Sequence, residues 1–379
     1  MSEIKIKSGG NAVLVGTLVP VGSRDEKDEI KGVSHFLEHM MFKGTKTRSK
    51  NDITRTAEQY GAQFNAWTSE EHTFYYMTIG KKYRDLAREI IDDMVHNSVL
   101  PAEEVDNERQ VILQELQMYA DNPQSATFQE AQRVVFEKGS GLHIPIIGTK
   151  ETLAGITRDT LARYYEKNYQ KMVKVEVGDV EDLRNKVILP RKFQKESLDF
   201  SRADHIVSRQ GIQQANMVVT GLIHKESTED NHRLGLFSTV MNGFQGRLFQ
   251  TVREANHLVY HCGFYAQTLS CGTVQYWVYA ALNADKISKA RELILQELTR
   301  PVSQEEYDFA KSKALGEHEL YIDSKANIGK IVIDSVVNNE NYDDLLVDYV
   351  NINVSLSQLN DFARRANFVN SKLVAVVPA

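Results

Sequence analysis

Phe64-Asn65-Ala66-Trp67-Thr68, followed by Thr73 and Tyr76, recurs further down the chain as Phe264-Tyr265-Ala266-Gln267-Thr268, Thr273 and Tyr276, five identities at one offset of 200. Ala87-Arg88-Glu89 returns as Ala290-Arg291-Glu292 and Glu103-Glu104-Val105-Asp106 as Glu305-Glu306-Tyr307-Asp308, with Leu113 and Glu115 answering Leu315 and Glu317. Several matches in the same order mean a duplicated unit, so the fold is one domain architecture used twice. Gln63–Ile79 alternates aromatic and polar residues, the period of one or two strands.

Around this stretch the first half mixes strand and helix patterns. Ala12–Val19 is a β-branched run, which makes it a strand. Val33–Phe42 has helical spacing and is followed by Gly44 as a stop, and further helices are expected over Asp52–Tyr60, Tyr83–Ser98 and Ala102–Tyr119. The class is therefore α+β: two duplicated domains, each a mostly antiparallel sheet with helices packed on one face. We expect domain one at 1–185, a linker at 186–204 inside the charged stretch Glu181–Asp204, and domain two at 205–379.

Composition narrows the function. The 379 residues carry 45 Lys+Arg against 51 Asp+Glu, a net charge of -6, and 2 Cys. Two domains of that size bury full cores without disulfides. A mildly acidic chain offers no basic field for phosphate backbones or anionic lipid, so neither nucleic acid nor membrane is expected as a partner. The start has neither the apolar core of a signal peptide nor an Arg-rich transit pattern, and two thiols suit a reducing compartment. A cytoplasmic location is the expectation.

The chemistry is concentrated in His35-Phe36-Leu37-Glu38-His39. Histidines at i and i+4 stand one above the other on a helix, so their ring nitrogens can converge on one ion. Glu38 stays beside the metal without ligating it, the H-x-x-E-H arrangement of a zinc hydrolase. A catalytic site takes a third protein ligand and leaves a position for water. Glu108 and Glu115, nearly two turns apart, share a helix face within about 20° and are both candidates, whereas Glu103 and Glu104 read as solvated. Val111, Ile112, Leu113 and Leu116 suggest a mostly buried helix, where a carboxylate needs a partner.

The run His35–Thr45, with Glu108 and Glu115 beyond it, resembles the metallopeptidases grouped with pitrilysin, insulysin and mitochondrial processing peptidase. Phe64-Asn65-Ala66-Trp67-Thr68-Ser69, Tyr119-Ala120-Asp121-Asn122-Pro123, Gly148-Thr149-Lys150-Glu151-Thr152 and Val177-Gly178-Asp179-Val180 extend the likeness over nearly the whole chain. The resemblance implies Zn2+ held by His35, His39 and Glu115, Glu38 as general base, and Glu108 as a carboxylate behind them orienting a ligand. It also implies an edge strand at Asn65 and Ala66 on which an extended peptide is laid. The activity implied is endopeptidase hydrolysis of unfolded peptides in an enclosed chamber.

In the second half Phe237, Met241 and Ala310 stand where His35, His39 and Glu108 would repeat, and only Glu317 persists, so one zinc per chain is expected. Arg253 and Tyr260 resemble the family's arginine–tyrosine element, which acts on substrate from the domain facing the zinc. In half-length members that element completes the site of another copy, which implies a homodimer. Alternatives are a dedicated precursor- or leader-processing peptidase and a non-catalytic structural subunit; the intact Glu38 disfavours the latter. His72, His96, His143, His257 and His261 lack ligand spacing and read as structural or solvent-facing.

Overall fold

The computed structural model describes residues 2–190, 193–198, 204–346 and 353–379. In chain order its first half holds β1 Ser2–Lys7, β2 Ala12–Val19, α1 Val33–Met41, α2 Lys50–Gln59, β3 Gln63–Thr68, β4 Thr73–Gly80, α3 Arg84–Asn97, α4 Ala102–Asp121, α5 Pro123–Val135, α6 Lys150–Gly155, α7 Arg158–Asn168 and β5 Val173–Gly178. The second holds β6 His205–Arg209, β7 Ala215–His224, α8 Asp230–Met241, a π-helical turn Phe249–Ala255, β8 Val259–Thr268, β9 Thr273–Leu282, α9 Ile287–Thr299, α10 Gln304–Tyr321, α11 Lys325–Asn338, α12 Tyr342–Leu346, α13 Leu356–Arg365 and β10 Lys372–Pro378.

Two five-stranded sheets result, ordered β1-β5-β2-β4-β3 and β6-β10-β7-β9-β8. In each, one edge pair is parallel, β1 with β5 and β6 with β10, and every other pairing is antiparallel. The second order is the first with each strand replaced by its counterpart, which is the duplication expected from the repeats. The class is α+β.

The chain divides into two compact units that are not contiguous in sequence: residues 1–118, 144–190 and 321–342 form one, and 119–143, 191–320 and 343–379 the other. They differ from the expected 1–185 and 205–379 by two exchanged segments, one carrying α5 and the other α11. Of the expected linker, residues 191–192 and 199–203 lie outside the described residues, and the rest form neither helix nor strand.

The exchange has a packing cause. In the second unit the inner strands are buried on both faces, as their near-continuous apolar runs require. Met217, Val219, Val278, Ala280 and Ala375 face a large core with Phe237, Met241, Ala290, Ile294, Leu359 and Phe362 from α8, α9 and α13. The alternate residues Val218, Tyr279 and Val374 point to the opposite face and bury against Ala131 and Val134 of α5. Helices thus cover one face, as expected, and a single borrowed helix covers the other. The first unit repeats this. β2 is buried from Val13 to Val19, and Gly329 of α11 comes so close that a Cβ there would lie 3.3 Å from Leu14 Cδ1.

Candidate metal centre

Helix α1 is built to face one way. Val33, Phe36, Leu37, Met40 and Met41 are buried at helical spacing, which leaves His35, Glu38 and His39 half-buried on the remaining face. The helix starts at Gly32, whose φ of 92° is left-handed and open to glycine, and where a Cβ would meet the Ile147 carbonyl oxygen at 2.5 Å. No residue at that cap satisfies the first amides. Glu26, six residues back, does so: its two oxygens accept from Gly32 N at 2.8 Å and Ser34 N at 2.7 Å. Burial pushes the Glu26 carboxyl up to about 7, against those hydrogen bonds and the nearby Lys31 ammonium.

The third candidate ligand comes from α4. His35 Nε2 lies 3.7 Å and His39 Nε2 3.6 Å from the same oxygen, Glu115 Oε2. All three donor atoms lie within 4.8 Å of one another. Ligands sharing one zinc at ~2.0–2.2 Å in tetrahedral geometry sit about 3.4 Å apart, so two imidazole nitrogens and a carboxylate oxygen so spaced fit that ion. Helix α4 is not the mostly buried helix its apolar residues suggested. Only Val105, Glu108 and Ile112 are buried, and Val111 is exposed. Glu108 is therefore the carboxylate that needs a partner by burial, and Glu115 is half-buried beside the imidazoles.

Glu108 finds two partners, His39 Nδ1 at 3.0 Å and the Lys43 ammonium. Burial pushes its carboxyl up, but the hydrogen bonds from His39 and Lys43 outweigh this and hold it below the ordinary value. An ionised carboxylate only accepts, so His39 carries its proton on Nδ1 and keeps Nε2 for the cluster. Burial likewise lowers the His39 pKa, and the Glu108 bond with the charges of Glu38 and Glu115 more than reverses that. His35 has no such support: among the described residues its buried Nδ1 has no hydrogen-bond partner, and burial, then the neighbouring His39 charge, takes its pKa down to about 3.

Glu38 stands beside the donors. Burial raises its pKa, a hydrogen bond from Thr68 opposes the rise, and the Glu115 charge adds to it. The bond runs from Thr68 Oγ1 to Glu38 Oε2 at 2.5 Å. The sequence stretches that carry the likeness include Thr68 and Lys43, but neither their roles nor that of Glu26 were legible, because each acts through a contact the local periodicity does not report.

Asn65 and Ala66 lie on β3, which among the described residues pairs only with β4 and so forms a sheet edge. Asn65 is exposed, and its Oδ1 accepts from Ala66 N at 2.9 Å. In the second unit Arg253 sits in the π-helical turn, its guanidinium 4.6 Å from the Phe249 ring centre and 5.2 Å from that of Tyr260. Tyr260 is the extra residue where the β8–β9 register shifts, and it is 78% exposed. A bulge turns such a side chain away from the sheet. Phe237, Met241 and Ala310 are buried core residues.

Comparison with known proteins identifies the family. The family model described as insulinase, peptidase family M16, matches residues 4–150, and that of the M16 inactive domain matches residues 155–314. A protein of Rickettsia felis described as an uncharacterized zinc protease is 32% identical over 318 residues, covering 80% of this chain and 77% of that protein. The β subunit of the mitochondrial processing peptidase of Lentinula edodes is 40% identical over 169 residues, 44% of this chain and 36% of that one. The crystal structure of a protease from Helicobacter pylori shares the fold with a TM-score of 0.87 at 19% identity, covering 99% of this chain and 96% of that one. With H-x-x-E-H on α1 and a carboxylate from α4 beside it, the chain belongs to the insulinase family of zinc proteases, peptidase family M16.

Proposed function

We propose that the protein is a zinc-dependent endopeptidase that hydrolyses unfolded peptides, one zinc per chain being held by His35, His39 and Glu115. The convergence of these three donors, from two helices, beside Glu38 is the observation that carries this reading. When bound, the ion would polarise the scissile carbonyl and make a water nucleophilic near neutral pH. Glu38 takes the proton of that water and passes it to the leaving amide nitrogen. Glu108 fixes the His39 tautomer and ring orientation.

The β3 edge around Asn65 and Ala66 pairs with the backbone of an extended peptide, which makes binding tolerant of side chains. Arg253 and Tyr260 of one copy complete the site of the other in a homodimer whose chamber encloses the substrate, the guanidinium and phenol donating to the substrate carbonyl. Among the described residues no helix is long and apolar enough to cross a membrane; that the reaction runs in the cytoplasm is part of the proposal, in keeping with a sequence that has only 2 Cys. A dedicated precursor-processing role is a second reading, favoured by the 40% identity to a processing-peptidase subunit.

A quenched peptide library tests the reading. Wild type cleaves and chelator stops it, while Glu38→Gln keeps the metal and loses turnover. A Glu38→Gln protein as active as wild type would remove the general base. For the dimer, mixing Arg253→Ala with Glu38→Gln under subunit exchange restores one intact site in each heterodimer, and no recovery of activity would count against the shared arrangement.

A further inference from the structure

Among the described residues the Glu38 carboxylate is held by a hydrogen bond from Thr68 Oγ1 to Oε2, which leaves Oε1 outside that bond. A carboxylate on a side chain with three rotatable bonds needs restraint if one of its oxygens is to meet a water in the same place each time. Thr68 is the last residue of β3 and pairs with Thr73 across the hairpin. The turn between them is fastened by an unusual set of bonds.

Trp67 Nε1 lies 3.1 Å from His72 Nε2, and His72 Nδ1 lies 2.8 Å from Ser69 Oγ. Indole can only donate, so Nε2 accepts and Nδ1 carries the proton that goes to the Ser69 hydroxyl. That hydroxyl in turn donates to the His72 carbonyl at 3.0 Å, and Ser69 N bonds the same carbonyl at 2.8 Å. His72 is a clamp across the turn, not a ligand.

The clamped turn is tied to the loop that also starts α1. Ser23 N bonds the Ser69 carbonyl at 3.1 Å, Arg24 N the Glu70 carbonyl at 2.7 Å, and the Arg24 guanidinium the Glu71 carboxylate at 2.7 Å. Thr73 Oγ1 donates to the Val21 carbonyl at 3.0 Å. Two residues beyond Arg24, Glu26 caps α1. One loop therefore anchors both the helix that carries Glu38 and the turn that carries Thr68.

We propose that Thr68 is a positioning residue for Glu38: its hydroxyl holds Oε2, so that Oε1 is the oxygen that receives the proton, with the His72 clamp fixing where Thr68 stands. The proposal rests on the reading of Glu38 as general base. A Thr68→Val variant keeps shape and loses the donor, whereas Thr68→Ser keeps the donor. Thr68→Val is expected to lower kcat about 10- to 100-fold, the scale of a small misplacement of a catalytic group, with KM and zinc content at wild-type values. Thr68→Ser is expected to stay within about threefold of wild type. A Thr68→Val enzyme with undiminished kcat, or a Thr68→Ser enzyme equally damaged, overturns the proposal.

The contact is also read without turnover, in metal-free protein. Thr68→Val is expected to lower Tm by about 2 °C when Glu38 is present and by much less in a Glu38→Ala background. Equal losses in both backgrounds overturn the proposal. If wild type cleaves no peptide, the peptidase reading fails while this comparison still decides whether Thr68 holds Glu38.

Discussion

His39 Nδ1 donates to Glu108 Oε1 across 3.0 Å while Lys43 neutralises the other oxygen of that carboxylate. The imidazole is thereby fixed in the tautomer that leaves Nε2 for a metal. Glu108→Ala should therefore weaken zinc binding about 10- to 100-fold, in the range seen for supports of metal-bound histidines. Glu108→Gln keeps an acceptor and should lose less. Competition against a calibrated chelator measures both, and a Glu108→Ala affinity equal to wild type would mean that the contact does not orient the ring.

Glu26 acts on the same helix from its other end. Its carboxylate replaces a local cap, and the buried Lys31 beside it would lose a compensating charge without it. Glu26→Ala should cost about 1–3 kcal/mol, seen as a lower denaturant midpoint with unchanged slope. An unchanged midpoint would show that water caps α1 equally well.

His72 gives the fold an acid sensitivity. Burial takes its pKa down to about 4 from an ordinary 6.5, with Asp334 and Lys330 of α11 facing it and pulling in opposite directions. Between these values the unfolded chain binds a proton that the folded chain refuses. Stability therefore falls as pH drops from about 6.5 toward 4, and His72 contributes no slope above that window. A His72→Gln variant should lose this part of the slope in stability measured against pH. Identical slopes would assign the sensitivity elsewhere.

How far the sequence could be read depended on the range of each signal. The duplication and the strand pattern of Gln63–Ile79 lie in local periodicity, and His35, Glu38 and His39 lie within five residues of one another on one helix. The choice between Glu108 and Glu115 was not local. Apolar neighbours suggested that both were buried, yet α4 has only three buried residues; periodicity could not separate the carboxylate behind His39 from the one in front of it, and the assignment came from the family resemblance, with the three-dimensional placement showing Glu108 on His39 Nδ1 and Glu115 near Nε2. The reach from Thr68 to Glu38 spans 30 residues, so no periodicity marks it. The exchange of α5 and α11 was also hidden, because an amphipathic pattern tells a helix which face to bury and not against which sheet.

That exchange predicts how the chain behaves when divided. Residues 1–190 alone lack α11, so apolar positions of β2 such as Leu14 lose their cover. The fragment should aggregate or bind a hydrophobic dye, and adding 321–342 as a covalent extension should relieve this. A monomeric, cooperatively folding 1–190 fragment would show that the borrowed helix is dispensable.

The central claim is that His35, His39 and Glu115 hold one divalent ion between them. Metal analysis of purified wild type beside Glu115→Ala and His39→Ala, each checked for folding by thermal melting, tests it directly. The account predicts one zinc per wild-type chain and almost none in either variant. Full zinc content in a folded Glu115→Ala protein would contradict it.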